Sequence, residues 1–259
     1  MGRWDGIDTV LLDLDGTMYV GGEVVPGAPE AVRRLRDHGL AVLFATNTDS
    51  TTPAALAGRL ARFGFPASEG ELVTPVAVAA RLFASAPGAR LLAVASEEVR
   101  GLLAGRLVGA GEPATHVLVA DPSYGATYDE LDAAFRAVRA GAELVATQVN
   151  RIAVREAGEH LDTGGWVRLL EYATGTTARV LGKPSPEFFT APLEALGRKP
   201  ATALVVGDDL VADVAGAQAV GAAAVLVRTG KGGRPQPGAE AEPDAVLDSV
   251  ADLPGLLGA

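Results

Sequence analysis

Thr9-Val10-Leu11-Leu12-Asp13-Leu14-Asp15-Gly16-Thr17 is the stretch that decides how the rest of the chain is read. A run of apolar and β-branched residues ends in two carboxylates two positions apart, and a glycine follows at once. The run reads as a buried strand with the aspartates at its carboxyl end. Carboxylates at the end of an apolar strand cost free energy unless a counter-charge meets them. In open parallel sheets, ligands bind beyond the carboxyl ends of the strands. The motif by itself leaves a second reading open, that of an ordinary turn with solvated aspartates.

The same situation recurs late in the chain, where Ala203-Leu-Val-Val-Gly207 is followed by Asp208, Asp209 and Asp213. Several carboxylates near one strand end suit a hard cation with oxygen ligands, and magnesium fits better than a soft metal. Asp213 has a further reading as an acid near a helix N-terminus. Thr46-Asn47 closes another apolar run, Leu40-Ala-Val-Leu-Phe-Ala-Thr46. Its hydroxyl and amide suit phosphoryl oxygens, or simply a turn and a cap. Lys183 is a lone cation in the turn Gly182-Lys183-Pro184-Ser185-Pro186.

Between these points short Val/Leu/Ala runs alternate with helical patterns, which predicts an α/β fold with a mostly parallel sheet. Thr52-Pro53 starts one helix, with Leu56, Leu60 and Phe63 on a face and Gly64 after it. Ser185-Pro186 starts another, carrying Phe189, Leu193 and Leu196 and stopped by Gly197. The middle, 87–179, has its own alternation, with strands expected at 91–95, 117–120 and 144–147 and a helix at 128–140. It reads as a smaller α/β domain inserted into an outer one made of 1–86 and 180–259. The Gly/Pro-rich stretch 229–243 reads as an exposed loop whose Gly-Lys-Gly-Gly lacks P-loop spacing.

Composition narrows the function. Of 259 residues, 48% are hydrophobic but only 5% aromatic, so the core rests on Ala, Val and Leu. A net charge of −10 argues against a nucleic-acid partner. The absence of cysteine excludes disulfides, thiolate nucleophiles and iron–sulfur clusters. His38, His116 and His160 share no metal-ligand spacing. With no signal-like N-terminal pattern and no apolar run near the ~20 residues that span a bilayer, the expectation is a cytoplasmic protein with no membrane partner.

Taken in order, Asp13-x-Asp15-Gly16-Thr17, Thr46-Asn47, Gly182-Lys183-Pro184 and Gly207-Asp208-x-x-x-x-Asp213 resemble the four motifs of the haloacid dehalogenase (HAD) phosphatases. The insert between the second and third motifs is similar to the C2 cap of the subclass holding NagD-type nucleotide phosphatases, 4-nitrophenyl phosphatases and phosphoglycolate phosphatases. The resemblance runs from about Val10 to Val227 and includes Leu170-Glu-Tyr-Ala-Thr-Gly175. It implies a Rossmann-like α/β core with an inserted C2-type cap, and a Mg²⁺-dependent phosphatase acting through an aspartyl-phosphate. The implied substrate is a small phosphorylated metabolite such as a nucleotide, phosphoglycolate or a sugar phosphate. Asp13 becomes the nucleophile, and Asp15 the acid and then the base. The metal falls to Asp13, the Asp15 carbonyl and Asp208. Gly16, Thr46, Asn47 and Lys183 receive the phosphoryl group. Asp213 stands behind them, orienting Lys183 or a metal-bound water, with Asp209 beside it in an open role. The resemblance also implies a homodimer through the cap.

One loop departs from the pattern. Relatives carry Ala-Thr-Asn-x-Asp where this chain has Ala146-Thr147-Gln148-Val149-Asn150, followed by Arg151 and Arg155. Gln148, Asn150, Arg151 and Arg155 are expected to select the substrate and to accept a second anionic group, the alternative being that the arginines are surface charges. Trp166 either stacks on a base or ring or packs within the cap. Three rival functions remain: a catalytically silent HAD-fold binding or regulatory protein, a phosphotransferase to an acceptor other than water, and a dehydrogenase. The intact aspartates and lysine speak against the first, the short spacing from Thr17 to Thr46 against the second, and the missing G-x-G-x-x-G against the third.

Overall fold

Every residue of Thr9–Asp13 is buried, so both faces of this strand must be covered, as in a parallel sheet flanked by helices. The computed structural model describes residues 4–122, 125–155, 158–236, 238 and 240–259, with the side chains of Val154 and Arg155 outside the description. Thr9–Asp13 pairs in parallel with Ala41–Ala45 on one side and Ala203–Gly207 on the other. Leu72–Val73 extends the sheet at one edge, and Ala223–Val227 and then Ala245–Leu247 at the other. The chain steps from the first strand to one flank early and to the other only after residue 200. That reversal is the switch point at which such sheets open a crevice.

This sheet belongs to a first unit made of Met1–Thr46, Pro53–Val73 and Lys183–Ala259. Val10, Leu12, Phe44, Leu204 and Val206 lie in one apolar cluster with Val32 and Leu35 of the helix Ala28–Asp37 and Leu56 and Leu60 of the helix Pro53–Arg62. The helix Pro186–Ala195 buries Phe188, Phe189 and Leu193, while Leu196 is its half-exposed C-cap.

The second unit consists of Asn47–Thr52 and Thr74–Gly182. Its sheet has four parallel strands in the order Leu91–Val94, His116–Val119, Glu143–Ala146 and Arg179–Val180. The helix Tyr128–Arg139 starts with a capping box between Thr127 and Glu130 and buries Ala134 and Val138. Asp162 caps the helix Thr163–Thr174, which ends at Gly175 in the left-handed conformation. Ile152–Arg155 and Gly158–Leu161 form an antiparallel hairpin that the alternation of the sequence does not announce. The helix Pro75–Ala84 and the segment Asn47–Thr52 group with this unit, whereas the boundary read at 86/87 left both in the outer domain. A boundary drawn at a loop cannot register which sheet a preceding helix packs on. No helix of the described residues is long and apolar enough to cross a membrane.

Leu12 has no exposed surface and lies in the apolar cluster of the first unit. Leu12→Ala is expected to lower the unfolding free energy of that unit by about 2–5 kcal/mol. Urea unfolding followed by circular dichroism reads this as an earlier midpoint, and an unmoved midpoint would contradict the packing described.

Candidate active site

The site of the first unit forms because three neighbouring parallel strands end side by side. Asp13 is the last residue of the central strand, Asp208 follows the strand on one flank, and Thr46 follows the strand on the other. Lys183 is brought to the same place, 6% exposed, with Nζ donating to Asp13 Oδ1 at 2.6 Å, Asp213 Oδ1 at 2.7 Å and the Ala45 carbonyl at 3.3 Å. The lone cation of the Gly-Lys-Pro turn is therefore an internal counter-charge.

Asp208 is held by a loop that the sequence presents only as exposed and Gly/Pro-rich. The Lys231 amide donates to Asp208 Oδ2 at 2.6 Å, and Gln236 Nε2 donates to the Asp208 carbonyl at 2.8 Å. Two glycines permit this approach. A Cβ on Gly16, whose φ is +93°, would lie 2.0 Å from Asp208 Oδ2, and one on Gly230 would lie 2.2 Å from the same atom. Gly16, expected among the phosphate-binding residues, gives its N–H to the Tyr19 carbonyl at 2.8 Å. What Gly16 contributes here is room for Asp208. Asp209, the residue whose role was open, accepts from the amides of Val211 and Ala212 and from Lys231 Nζ at 2.8 Å. It caps the wide turn Leu210–Ala215 that carries Asp213.

The electrostatics of this cluster call for another positive charge. Burial raises the Asp13 carboxyl above its ordinary range; Lys183 opposes the rise, and Asp213 and Asp208 add to it. Burial likewise pushes Asp208 up to about 6, against the Lys231 amide. Burial alone would discharge Lys183, but its contacts with Asp13 and Asp213 outweigh that and hold it above the usual lysine range. Carboxylate oxygens of Asp13, Asp208 and Asp213 all lie within 4.8 Å of one another. Asp13 Oδ2 is buried without any hydrogen-bond partner. An orphaned buried carboxylate oxygen among surplus negative charges fits an oxygen-ligated divalent cation.

Asp15 is exposed at its strand end, yet the protein around it raises its carboxyl, with Arg59 and the Tyr19 hydroxyl acting against the rise. Thr46 is buried and donates its amide to the Val73 carbonyl at 3.0 Å. It is the last residue of its segment in the first unit, and Asn47 is the first of its segment in the second. There the side chain of Asn47 faces Gly182, whose Cβ would lie 2.7 Å from Asn47 Oδ1.

The expected specificity residues of the second unit divide by burial. Gln148 is 2% exposed and is engaged internally: its Nε2 donates to Asp162 Oδ1 at 2.8 Å and its Oε1 accepts from the Asn150 amide. Asn150 and Arg151 are exposed. Trp166 packs half-buried against the apolar cluster of the unit. The side chain of Arg155 lies outside the described residues.

Asp49 escaped the sequence reading altogether. It is 3% exposed, and Oδ2 accepts from Thr147 Oγ1 at 2.5 Å, Thr163 Oγ1 at 2.8 Å and the Asp121 amide at 3.2 Å. Oδ1 accepts from Gln148 Nε2 at 3.4 Å. Burial pushes its carboxyl up to about 6, against the Thr147 and Thr163 hydroxyls. The one available signal was position, three residues after Thr46.

Comparison with known proteins agrees with this geometry. Residues 10–106 match the family described as haloacid dehalogenase-like hydrolase, and residues 180–253 match a second HAD-hydrolase-like family. The chain is 36% identical over 265 residues to the rat phospholysine phosphohistidine inorganic pyrophosphate phosphatase, covering 98% of this chain and 96% of that protein. It is 37% identical to the human haloacid dehalogenase-like hydrolase domain-containing protein 2, over 87% of this chain and 85% of the other. Among solved structures, the p-nitrophenyl phosphatase from Archaeoglobus fulgidus superposes with a TM-score of 0.88 at 27% identity, covering 97% and 99% of the two chains.

Asp49 generates a pH-dependent stability. Its folded pKa of about 6 lies above the ordinary aspartate value of about 3.9, so its contribution is fully present below pH ~4 and is lost as pH rises through ~6. The loss amounts to about 3 kcal/mol. Asp49→Asn cannot ionise and has no such loss. Melting temperatures taken at pH 4, 5, 6 and 7 should show the wild-type advantage over Asp49→Asn shrinking steadily across that window, and a constant difference would refute the assignment.

Proposed function

The chain belongs to the haloacid dehalogenase-like hydrolases, and we propose that it is a magnesium-dependent phosphatase that cleaves small phosphorylated compounds through an aspartyl-phosphate. The observation that carries this reading is the division of labour at Asp13. Its Oδ1 is held by Lys183, while its Oδ2 is buried with no partner and faces no competitor for an electrophile or a cation.

In the proposed reaction an Asp13 carboxylate oxygen attacks phosphorus, and the bond from phosphorus to the leaving oxygen breaks. Asp15, whose carboxyl is raised toward its protonated form, gives its proton to that oxygen. The ionised Asp15 then takes a proton from water, whose oxygen attacks the phosphorus of the aspartyl-phosphate. Inorganic phosphate departs, and Asp13 and the acid form of Asp15 are restored. Lys183, kept charged by Asp13 and Asp213, stabilises the negative charge on the transferring oxygens together with Thr46 and Asn47. Asp13, the Asp15 carbonyl and Asp208 would hold the cation, which supplies charge neutralisation between nucleophile and phosphoryl dianion. The Thr229–Arg234 turn supports Asp208 by giving it the Lys231 amide.

The substrate is a phosphomonoester by this reading, with a nucleotide, phosphoglycolate or a sugar phosphate as first candidates. The name of the rat relative adds phospholysine, phosphohistidine and inorganic pyrophosphate to the compounds worth offering. Arg151, which is exposed, and Arg155 are the residues of this altered loop offered to an anionic substrate group.

Hydrolysis of 4-nitrophenyl phosphate should require Mg²⁺, stop with EDTA, and fall at least about 10³-fold in Asp13→Asn. Activity that survives both EDTA and Asp13→Asn would sink the mechanism. Inactivity of the Mg²⁺-loaded wild type toward this ester and the whole panel of natural phosphates would sink the phosphatase reading itself.

A further inference from the structure

The side chains that surround the Asp15 carboxyl take no direct part in the proposed reaction. Asp15 is followed by a tight turn that returns the chain to it. Tyr19 forms an isolated bridge with Asp15, and the Tyr19 carbonyl accepts the Gly16 amide at 2.8 Å. The Tyr19 side chain then points back along the same turn, and its hydroxyl donates to Asp15 Oδ2 at 3.2 Å. Its ring is 1% exposed, so the hydroxyl is delivered by a side chain that packing holds in place.

That packing is specific. The Arg59 guanidinium lies over the Tyr19 ring, 5.1 Å from its centroid, and the Phe63 ring lies 5.3 Å away at an interplanar angle of 53°. Arg59 is also 5.8 Å from the Phe63 centroid. Arg59 lies in the last turn of the helix Pro53–Arg62 and Phe63 directly follows that helix, so the helix end clamps the phenol. Cation–π contact and a tilted aromatic pair each favour one ring orientation.

We propose that Tyr19, clamped by Arg59 and Phe63, is a positioning residue that fixes which oxygen of Asp15 carries the transferable proton. The proposal rests on the reading of Asp15 as general acid. The chemistry is that of a carboxylic acid, which has one O–H donor and one acceptor oxygen. A phenol donating to Oδ2 occupies the acceptor, so the acid proton sits on Oδ1. Asp15 is exposed and at the end of a strand, and without such a contact its carboxyl would be free to rotate and present either oxygen. By holding Oδ2, Tyr19 restricts that rotation and keeps one proton-bearing oxygen toward the leaving group. No atom of Tyr19 joins the reaction; it acts through Asp15.

The test is the dependence of rate on the leaving group. Tyr19→Phe deletes the hydroxyl and keeps the ring between Arg59 and Phe63. The readout is kcat/KM for substituted phenyl phosphates running from 4-nitrophenyl to unsubstituted phenyl, because kcat/KM covers the step in which the leaving oxygen departs. 4-Nitrophenolate leaves as a stable anion and needs little help from an acid, whereas phenolate needs the proton. Tyr19→Phe should therefore lower kcat/KM about tenfold for phenyl phosphate and less than about threefold for 4-nitrophenyl phosphate, at an unchanged melting temperature. An equal fall across the series would mean that the hydroxyl supports only the local fold, and no fall at all would mean that Asp15 needs no positioning; either overturns the proposal. Asp15→Asn in the same series separates the two readings. If it shows the larger version of the same bias while Tyr19→Phe shows none, the acid assignment stands and the Tyr19 proposal alone falls. If Asp15→Asn shows no bias, the acid assignment fails and takes the proposal with it.

Discussion

A lysine ammonium buried between two aspartates is the constraint on which the catalytic unit depends. Lys183 donates to Asp13 and Asp213 at 2.6 and 2.7 Å, and the three side chains come from widely separated parts of the chain. Removing one member of a buried ion pair leaves an uncompensated charge, at a cost of about 3–5 kcal/mol. The three segments are thus locked to one another at the place where the strands end. The remaining carboxylate of the cluster, Asp208, is fixed by backbone rather than by charge, through the Lys231 amide and the close passage of Gly16 and Gly230. The result is a group of acids whose total charge exceeds what the protein itself neutralises. A site of that kind is prepared for a cation and for the phosphoryl group that the cation accompanies.

The second unit treats a buried carboxylate differently. Asp49 is met by neutral donors: two hydroxyls, an amide side chain and a backbone amide. Burial outweighs what the Thr147, Thr163 and Gln148 donors give the charged form, so its carboxyl is pushed up to about 6. Its partners come from three separate stretches, at 121, 147–148 and 163, so Asp49 acts as a polar knot inside the unit. Gln148 belongs to that knot, which gives the altered loop a packing role in addition to any it has toward substrate.

Much of this was legible in the sequence, for physical reasons that can be named. Asp13, Asp15 and Asp208 stand out because charged residues directly after apolar strands are costly, and the alternation of strands and helices specifies the parallel sheets. Lys183 stands out only through the resemblance of its turn to a family motif, since a lone lysine carries no signal of burial. What stayed hidden depends on contacts between distant segments. The 229–236 stretch looks like a surface loop because its glycines and prolines are the same whether they are idle or make room for Asp208. The hairpin 152–161 exposes Ile152 and Leu161, so it lacks the clean alternation of a half-buried strand. Asp49 looks like a turn residue beside Thr46-Asn47. Tyr19 and Arg59 are far apart in sequence, and neither type is rare enough to draw attention.

The pairing of Thr9–Asp13 with Ala203–Gly207 has a consequence for biosynthesis. The central strand emerges from the ribosome first, but the neighbour that brings Asp208 follows only after nearly 190 further residues, since Thr9 pairs with Ala203. Contacts of such long sequence separation form late, and domains assemble as units during synthesis. The second unit, complete once Gly182 has been made, can settle while the first still waits for its last third. A nascent chain therefore carries Asp13 long before it carries Lys183, Asp208 and Asp213, the side chains that complete the acidic cluster.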